Sequence, residues 1–206
     1  MSNSKSPLID QLPADLQAVI KELDRADREA RELVGGLADT QLNWQPDGGK
    51  AWSVNQCLDH LAQVNKLYTD ALRTAVRSAR ARVASSRKPI QPGWFGRWFI
   101  NTMEPPARRK FKAEDKVMPV EYMSGTEALH AFVRAHDDVR SLIQESQRLD
   151  LNRIRFKNPF VGLFRFTVGT GLLIIGSHDR RHLWQARQVC SVMKGSKAST
   201  LPMFPP

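Results

Sequence analysis

Cysteine and long apolar runs are scarce in this sequence. Only two of its 206 residues are cysteine, Cys57 and Cys190, so a disulfide framework is not what stabilises the fold. The longest unbroken apolar run, near residues 172–175, is far too short to span a bilayer, and residues 1–7 lack the apolar core of a signal peptide. We therefore expect a cytoplasmic protein with reduced thiols and no membrane span.

Acidic residues are also few, 21 against 31 lysines and arginines, which gives a net charge of +10. Nearly all of the surplus lies in residues 73–116, where twelve basic residues stand against three acidic ones. A solvated helix end followed by a solvated loop is the simplest interpretation, and an anionic substrate or partner is the alternative. Nucleic-acid binding is the least favoured function, because no helix-turn-helix or aromatic-and-basic sheet signature is present.

Apolar residues recur at helical spacing in four stretches, so the sequence predicts an all-α fold with four helices. Ser53 and Gln56 have the spacing of a capping box, which marks the start of the second helix. The predicted helix starts are Pro13, Ser53, Ser124 or Thr126, and Thr167. The fourth helix is expected to run to Met193.

The segments between these helices divide the chain. We expect a helical domain over residues 13–193 and flexible ends over 1–12 and 194–206. Residues 37–51 and 149–166 are predicted to be loops. Residues 85–123 form a basic crossover with five prolines, so helices two and three need not be antiparallel neighbours.

An amphipathic piece, residues 94–100, interrupts this crossover. It is expected to pack across the bundle as a lid. A position on a membrane surface is the less favoured alternative, because so short a segment buries little area there.

Two histidines lie one helical turn apart near the end of the chain. His178 and His182 are four residues apart, which aims both imidazoles at the same point in space. A first-row metal ion takes at least three protein ligands, so this pair alone is weak evidence for a metal site. His60 falls on the apolar face of the second helix, where a histidine is more often a core residue than a ligand. Since bundles build metal sites from facing helices, both interpretations of His60 stay open.

Other residues near these histidines have simpler interpretations. His130 and His136 are six apart, do not share a helix face and are predicted not to be ligands. Cys57 is near the face of His60 and is either a buried thiol, the commoner case, or a fourth ligand or nucleophile. The glycines of the fourth helix disfavour a helix interior and predict close approach of another backbone or a kink. They are Gly169, Gly171 and Gly176.

Two motifs, in their order and separation, resemble the DinB-like superfamily, which includes the DinB/YfiT-type metal-dependent hydrolases and bacterial thiol S-transferases. The first motif is Trp52-Ser-Val-x-Gln-x-Leu-x-His60-Leu, and the second is His178-Asp-Arg-Arg-His182-Leu-x-Gln185. The likeness extends to Val117-Met-Pro before the third helix and Phe156-x-x-Pro before the fourth. It therefore covers nearly the whole chain.

The resemblance implies a four-helix bundle with a long crossover between helices two and three. It also implies a metal site with one histidine from helix two and two from helix four, which are His60, His178 and His182 by motif position. Many relatives carry glutamate where this chain has Gln56, which we interpret as a capping residue. The neighbouring Asp59 and Asp179 point about 100° away from the adjacent histidines. No catalytic base is therefore assigned.

Three neutral imidazoles favour Zn²⁺ or Ni²⁺ and leave a position for water or a thiol. Gln185, one turn beyond His182, is a candidate for orienting a bound ligand, with helix packing as the equal alternative. We expect a metal-dependent enzyme that transfers a low-molecular-weight thiol to an electrophilic small molecule, or a related hydrolase. A non-catalytic, stress-related metal-binding bundle is the alternative, and the resemblance suggests a homodimer.

Overall fold

A computed structural model of the chain describes residues 11–79, 87–106 and 113–195. Most of the two predicted flexible ends, and parts of the basic crossover, lie outside these ranges. Leu12, at the end of the predicted lead, is buried in the core, and Gln17 donates a hydrogen bond to its carbonyl oxygen. The division of the chain into a lead, a helical domain and a tail stays a prediction.

Four long helices form a bundle, which confirms the predicted all-α class. The elements in chain order are α1 (Ala14–Val34), α2 (Asp39–Leu42), α3 (Pro46–Gly49), α4 (Val54–Ala79), α5 (Trp94–Met103), a 3-10 turn (Asp115–Val117), α6 (Gly125–Ser146), β1 (Arg155–Lys157), β2 (Arg165–Thr167) and α7 (Val168–Met193). Helix α4 packs against α6 and α7, and α1 packs against the same two helices. The crossover joins α4 to α6 and carries α5.

Side-chain caps fix the starts of three of the long helices. Ser53 and Gln56 form the predicted capping box, with a backbone-to-side-chain hydrogen bond in each direction at 3.0 and 3.1 Å. Ser124 and Glu127 form a second capping box at the start of α6. The Thr167 hydroxyl accepts from an amide in the first turn of α7. The start signals predicted from sequence are therefore confirmed at these positions.

Two segments predicted to be loops contain regular structure. Residues 37–51 include the short helices α2 and α3, and Leu42 at the end of α2 is fully buried. Residues 149–166 include most of an antiparallel hairpin, in which Phe156 lies opposite Phe166 and both rings face the bundle. Strands of three residues give too few positions for an alternating pattern to be visible in the sequence.

A buried polar network joins the four long helices. His136 of α6 is fully buried, with Nδ1 2.6 Å from Asp27 of α1 and Nε2 3.2 Å from Asp179 of α7. Asn65 of α4 donates to Asp179 at 2.9 Å, and Arg140 donates to Asp27 at 2.7 Å. Burial opposes the charge on His136, but the two carboxylates outweigh it and raise the imidazole pKa to about 9. His136 is therefore a charged core residue at neutral pH.

The glycines of α7 differ in what surrounds them. A Cβ atom on Gly171 would lie 2.6 Å from Leu72 Cδ2 and 2.8 Å from Phe156 Cε1, and one on Gly169 would lie 3.0 Å from Ile90 Cγ2. These close neighbours are side chains, whereas the sequence predicted close approach of another backbone or a kink. A Cβ on Gly176 would approach nothing closer than 3.5 Å, so no close approach explains this glycine.

Helix α5 packs on the bundle, as expected for residues 94–100. Gly96 lies against Thr170 of α7, and the Phe95 ring stacks on Phe166 with the ring centroids 5.5 Å apart. Phe99 is buried against the same ring. None of the helices described is long and apolar enough to cross a membrane.

The basic stretch 73–116 is partly paired with acidic groups. Arg73 contacts Glu145, Arg87 contacts Asp15 at 2.6 Å, and Lys116 contacts Glu114. Six of its twelve basic residues lie outside the described residues. The role of this stretch as a whole stays a prediction.

Candidate metal centre

Three imidazoles from two packed helices meet inside the bundle. His60 comes from α4, and His178 and His182 come from consecutive turns of α7. One ligand-capable nitrogen from each lies within 4.8 Å of the others, and the ring centroids are 4.6 to 5.3 Å apart. Over the described part of the chain, this is the one group of three or more metal-ligand side chains. The structure therefore brings together the three histidines that the motifs single out.

A backbone carbonyl fixes the protonation of His60. The Nδ1 atom of this buried residue lies 2.8 Å from the carbonyl oxygen of Val117. Because a carbonyl only accepts hydrogen bonds, Nδ1 carries the proton, and Nε2 keeps its lone pair. Metal-binding histidines usually have this arrangement, with one nitrogen donating to an oxygen and the other free to bind.

The segment that supplies this carbonyl is fastened to α4 by polar side chains. Asp59 accepts from the Val120 amide at 2.9 Å, and Asn55 donates to the Met123 carbonyl at 2.7 Å. Gln63 donates to the Met118 carbonyl at 3.3 Å and also contacts Asp59. The carboxylate of Asp59 thus holds the segment beside His60.

His182 is held by a side chain on its own helix. Its Nδ1 lies 3.0 Å from the amide oxygen of Gln185, one turn further along α7. The amide oxygen accepts, so Nδ1 carries the proton and Nε2 keeps a lone pair. The sequence suggested that Gln185 orients a bound ligand, whereas in the structure it contacts the imidazole itself.

His178 has a buried nitrogen with no hydrogen-bond partner. Its Nδ1 atom is one of five such side-chain atoms among the described residues. A buried polar atom without a partner costs about 1–3 kcal/mol, so such atoms are rare in native structures. A metal ion bound through this Nδ1 atom would supply the partner that it lacks. The donor set of three imidazoles therefore fits a borderline first-row cation.

Burial keeps the three imidazoles neutral. It lowers the pKa of His178 and His182 well below the ordinary value, and the neighbouring imidazoles and Arg181 add to the effect. It also lowers the pKa of His60, although the Val117 hydrogen bond and Asp59 partly oppose it. Metal binding requires neutral imidazoles, so the folded protein has them in the required form at neutral pH.

Trp52 forms one wall of the cluster. Its ring centroid lies 4.6 Å from that of His60 and 5.6 Å from that of His182, and the residue is buried. Neither this role nor that of the Val117 carbonyl was assigned from the sequence. The sequence did mark both residues, because Trp52 and Val117 belong to the motifs that carry the family resemblance.

Candidate ligands other than histidine are not part of the cluster. Cys57 and Cys190 are free and buried, and burial raises the pKa of both thiols. Asp179 faces His136 and Asn65 instead of the imidazoles beside it in sequence. No carboxylate belongs to the three-histidine group in the part of the chain that the structure describes.

The family model of the DinB superfamily matches residues 22–186, which include both histidine motifs and most of the chain. This chain belongs to the DinB superfamily. Among solved structures, it matches YfiT from Bacillus subtilis, described as a probable metal-dependent hydrolase with an unusual four-helix bundle topology. The two share 18% identity over 95% of this chain and 93% of that one, with a TM-score of 0.49. No curated protein matches the chain.

Membership of the DinB superfamily confirms the family inferred from the two motifs. The geometry of this DinB protein is compatible with metal binding at the three histidines. The roles of His60, His178 and His182 as ligands, and of Gln185 beside them, stay predictions.

Proposed function

We propose that this DinB protein binds a divalent transition metal, Zn²⁺ or Ni²⁺, through His60, His178 and His182. The observation that carries the proposal is that one ring nitrogen from each of the three imidazoles lies within 4.8 Å of the others, on two packed helices. Two of them have Nδ1 engaged by an oxygen, so their Nε2 lone pairs are available. The unpartnered Nδ1 of His178 adds support, because metal binding through this nitrogen would supply the partner that it lacks.

A metal held by three imidazoles supplies Lewis acidity at an open position, where it lowers the pKa of water or a thiol. The surrounding residues orient the imidazole rings and shield the cluster. Val117 and Gln185 hold the Nδ1 protons of His60 and His182 and so fix the orientation of both rings. Trp52 and the helix packing exclude water from one side of the cluster.

The lack of a carboxylate among the described groups of the cluster favours a thiol over water as the nucleophile. A free thiol has a pKa of about 8.5, whereas that of bulk water is about 15.7. A site without its own general base therefore suits the more acidic group. We propose a metal-dependent transfer of a low-molecular-weight thiol to an electrophilic small molecule. In this reaction an S–C bond forms, the leaving group departs with its bonding electron pair, and the thiol proton passes to solvent.

Hydrolysis is the related alternative if the substrate supplies its own base. A non-catalytic metal-binding bundle is a second alternative, which the missing carboxylate also favours. A cytoplasmic location and a homodimer belong to the proposal as expectations from the sequence. Light scattering of the eluting protein after gel filtration measures the oligomeric state.

The direct test follows consumption of glutathione or cysteine with chlorodinitrobenzene. The protein is assayed as purified, after chelation, and after addition of Zn²⁺ or Ni²⁺. His178→Ala is the test variant, and His130→Ala on the exposed face of α6 is the control. Turnover that needs the metal and His178 but not His130 supports thiol transfer. Metal binding without turnover on a panel of thiols and electrophiles would instead favour the non-catalytic alternative.

A further inference from the structure

The outer face of α5 carries two exposed tryptophans. Trp94 is 77% exposed and Trp98 is 47% exposed, and their spacing of four residues places them on one side of the helix. Arg97, on the same side, is also exposed. Two indoles left in water represent a large unburied apolar area on a helix whose other face is well packed.

The tip of the β1–β2 hairpin continues this surface. Leu163 is 89% exposed, and Val161 is 39% exposed. The tip lies beside α5, because the ring of Phe164 packs on Phe95 with the centroids 5.0 Å apart, and Phe95 contacts Trp98 at 5.6 Å. Helix α5 therefore contacts the residue that follows the aliphatic tip, which places the indoles near the tip.

Exposed basic residues lie on the outer face of the hairpin. They are Arg155, Lys157 and Arg165. Lys157 lies directly opposite Arg165 in the strand register, and like charges at such a pair destabilise a hairpin. No acidic residue occurs between residues 151 and 178, and none of these three cations forms an ion pair with a described residue. An anionic partner would relieve this repulsion.

We infer that this patch binds the surface of an anionic phospholipid membrane. We call it the membrane-facing patch, and it consists of Trp94, Arg97, Trp98, Arg155, Lys157, Val161, Leu163 and Arg165. Tryptophan side chains partition to the bilayer interface, exposed aliphatic side chains enter the acyl region, and basic residues attract anionic head groups. The membrane-facing patch combines all three on adjacent elements.

The hairpin enlarges the apolar and basic surface that α5 offers alone. From the sequence, a membrane-surface position of residues 94–100 is the less favoured alternative, because so short a helix buries little area. The hairpin tip adds Val161 and Leu163 to that area, and the strands add three cations.

Other occupants fit the patch less well. A second copy of the chain, docked through the same face, would bring like charges together. A nucleic acid would satisfy the cations and stack on the indoles, but aliphatic side chains at the tip offer no ring to stack on a base. Binding of a nucleic acid is accordingly an outcome that the experiment must distinguish.

The test is cosedimentation of the full chain with vesicles. One set contains phosphatidylcholine alone, and the other contains phosphatidylcholine with phosphatidylserine. The variants are Trp94→Ala with Trp98→Ala, and Arg155→Glu with Arg165→Glu. Matched controls are Trp44→Ala, an indole 39% exposed elsewhere, and Arg28→Glu with Arg134→Glu, two exposed arginines on α1 and α6. Circular dichroism establishes that each variant is folded.

We expect the protein to sediment with the anionic vesicles, less so in high salt, and weakly or not at all with phosphatidylcholine alone. Binding should fall about fivefold for each basic side chain neutralised and further on charge reversal, while the controls keep it. The inference is overturned if the protein does not bind anionic vesicles, or if both test variants bind as well as their controls. Retention of an oligonucleotide through the same residues, without vesicle binding, would overturn it in favour of nucleic acid. Neither vesicle binding nor oligonucleotide retention depends on whether the protein contains a metal ion, so this test is independent of the proposed function.

Discussion

The Nδ1 atom of His60 donates a hydrogen bond of 2.8 Å to the carbonyl oxygen of Val117, 57 residues further along the chain. This bond sets the tautomer of one imidazole in the cluster. The bond from His182 to Gln185 at 3.0 Å does the same for a second. Both imidazoles are thereby held ready to bind through Nε2.

Gln185→Ala tests the value of this orientation. The variant removes the partner of His182 Nδ1 and leaves all three histidines in place. We expect metal affinity to fall by about 10- to 100-fold, because partners of metal-binding histidines contribute on that scale. Competition with a chromophoric chelator measures the change. Gln188→Ala, one turn beyond Gln185 on the same helix, is the control and should bind the metal as tightly as the unaltered protein does. Equal metal affinities in the two variants would show that Gln185 does not contribute to the site.

Replacing His136 should destabilise the fold. His136→Gln removes the cation between Asp27 and Asp179 and leaves two carboxylates inside the bundle. Breaking a buried ion pair in this way costs about 3–5 kcal/mol in the free energy of unfolding. His130→Gln, on the exposed face of the same helix, should change it by less than about 0.5 kcal/mol. Urea denaturation measures both, and an equal effect of the two substitutions would contradict the network.

The same imidazole should make stability depend on pH. Its folded-state pKa of about 9 lies above the ordinary value of 6.5, so its contribution is fully present below about pH 6.5 and is lost as the pH rises through 9. The groups that face it are Asp27 and Asp179, with Arg140 on the far side of Asp27. We expect the unaltered protein to lose on the order of 3 kcal/mol across this range relative to His136→Gln. If the free energies of unfolding of the two proteins changed in parallel with pH, the imidazole would be neutral in the folded state.

Alanine at two glycines of α7 should have opposite effects. Gly171→Ala places a Cβ 2.6 Å from Leu72 and should lower the free energy of unfolding by about 1–3 kcal/mol through overpacking. Gly176→Ala meets only the end of the Arg180 side chain at 3.5 Å and should raise it by up to about 1 kcal/mol, the helix-propensity difference. Thermal or urea unfolding of both variants measures the effects. Destabilisation by Gly176→Ala would contradict the open space around this glycine.

Local patterns were enough to predict the four long helices and the shared face of His178 and His182. Helical periodicity and caps such as Ser53 and Thr167 depend on neighbouring residues, so the sequence displays them directly. The i, i+4 spacing of His178 and His182 is also local. The family resemblance supplied what spacing did not, namely that His60 on another helix faces them.

The buried network and the hairpin depend on long-range packing instead. His136 pairs with Asp27, 109 residues away, and with Asp179, 43 residues away, so no local pattern marks it as charged. The strands β1 and β2 have three residues each, which is too short for an alternating pattern to be recognised. The surroundings of Gly171 and Gly176 likewise follow from which elements pack against α7.

His60, His178 and His182 are proposed to hold one metal ion together. Elemental analysis of protein purified without a histidine tag measures this ion, with His60→Ala and His178→Ala as variants and His130→Ala as the control. We expect close to one equivalent of Zn or Ni in the unaltered protein and the control, and almost none in either variant. Protein that takes up no metal after incubation with Zn²⁺ and Ni²⁺, or variants that keep a full equivalent, would contradict the claim.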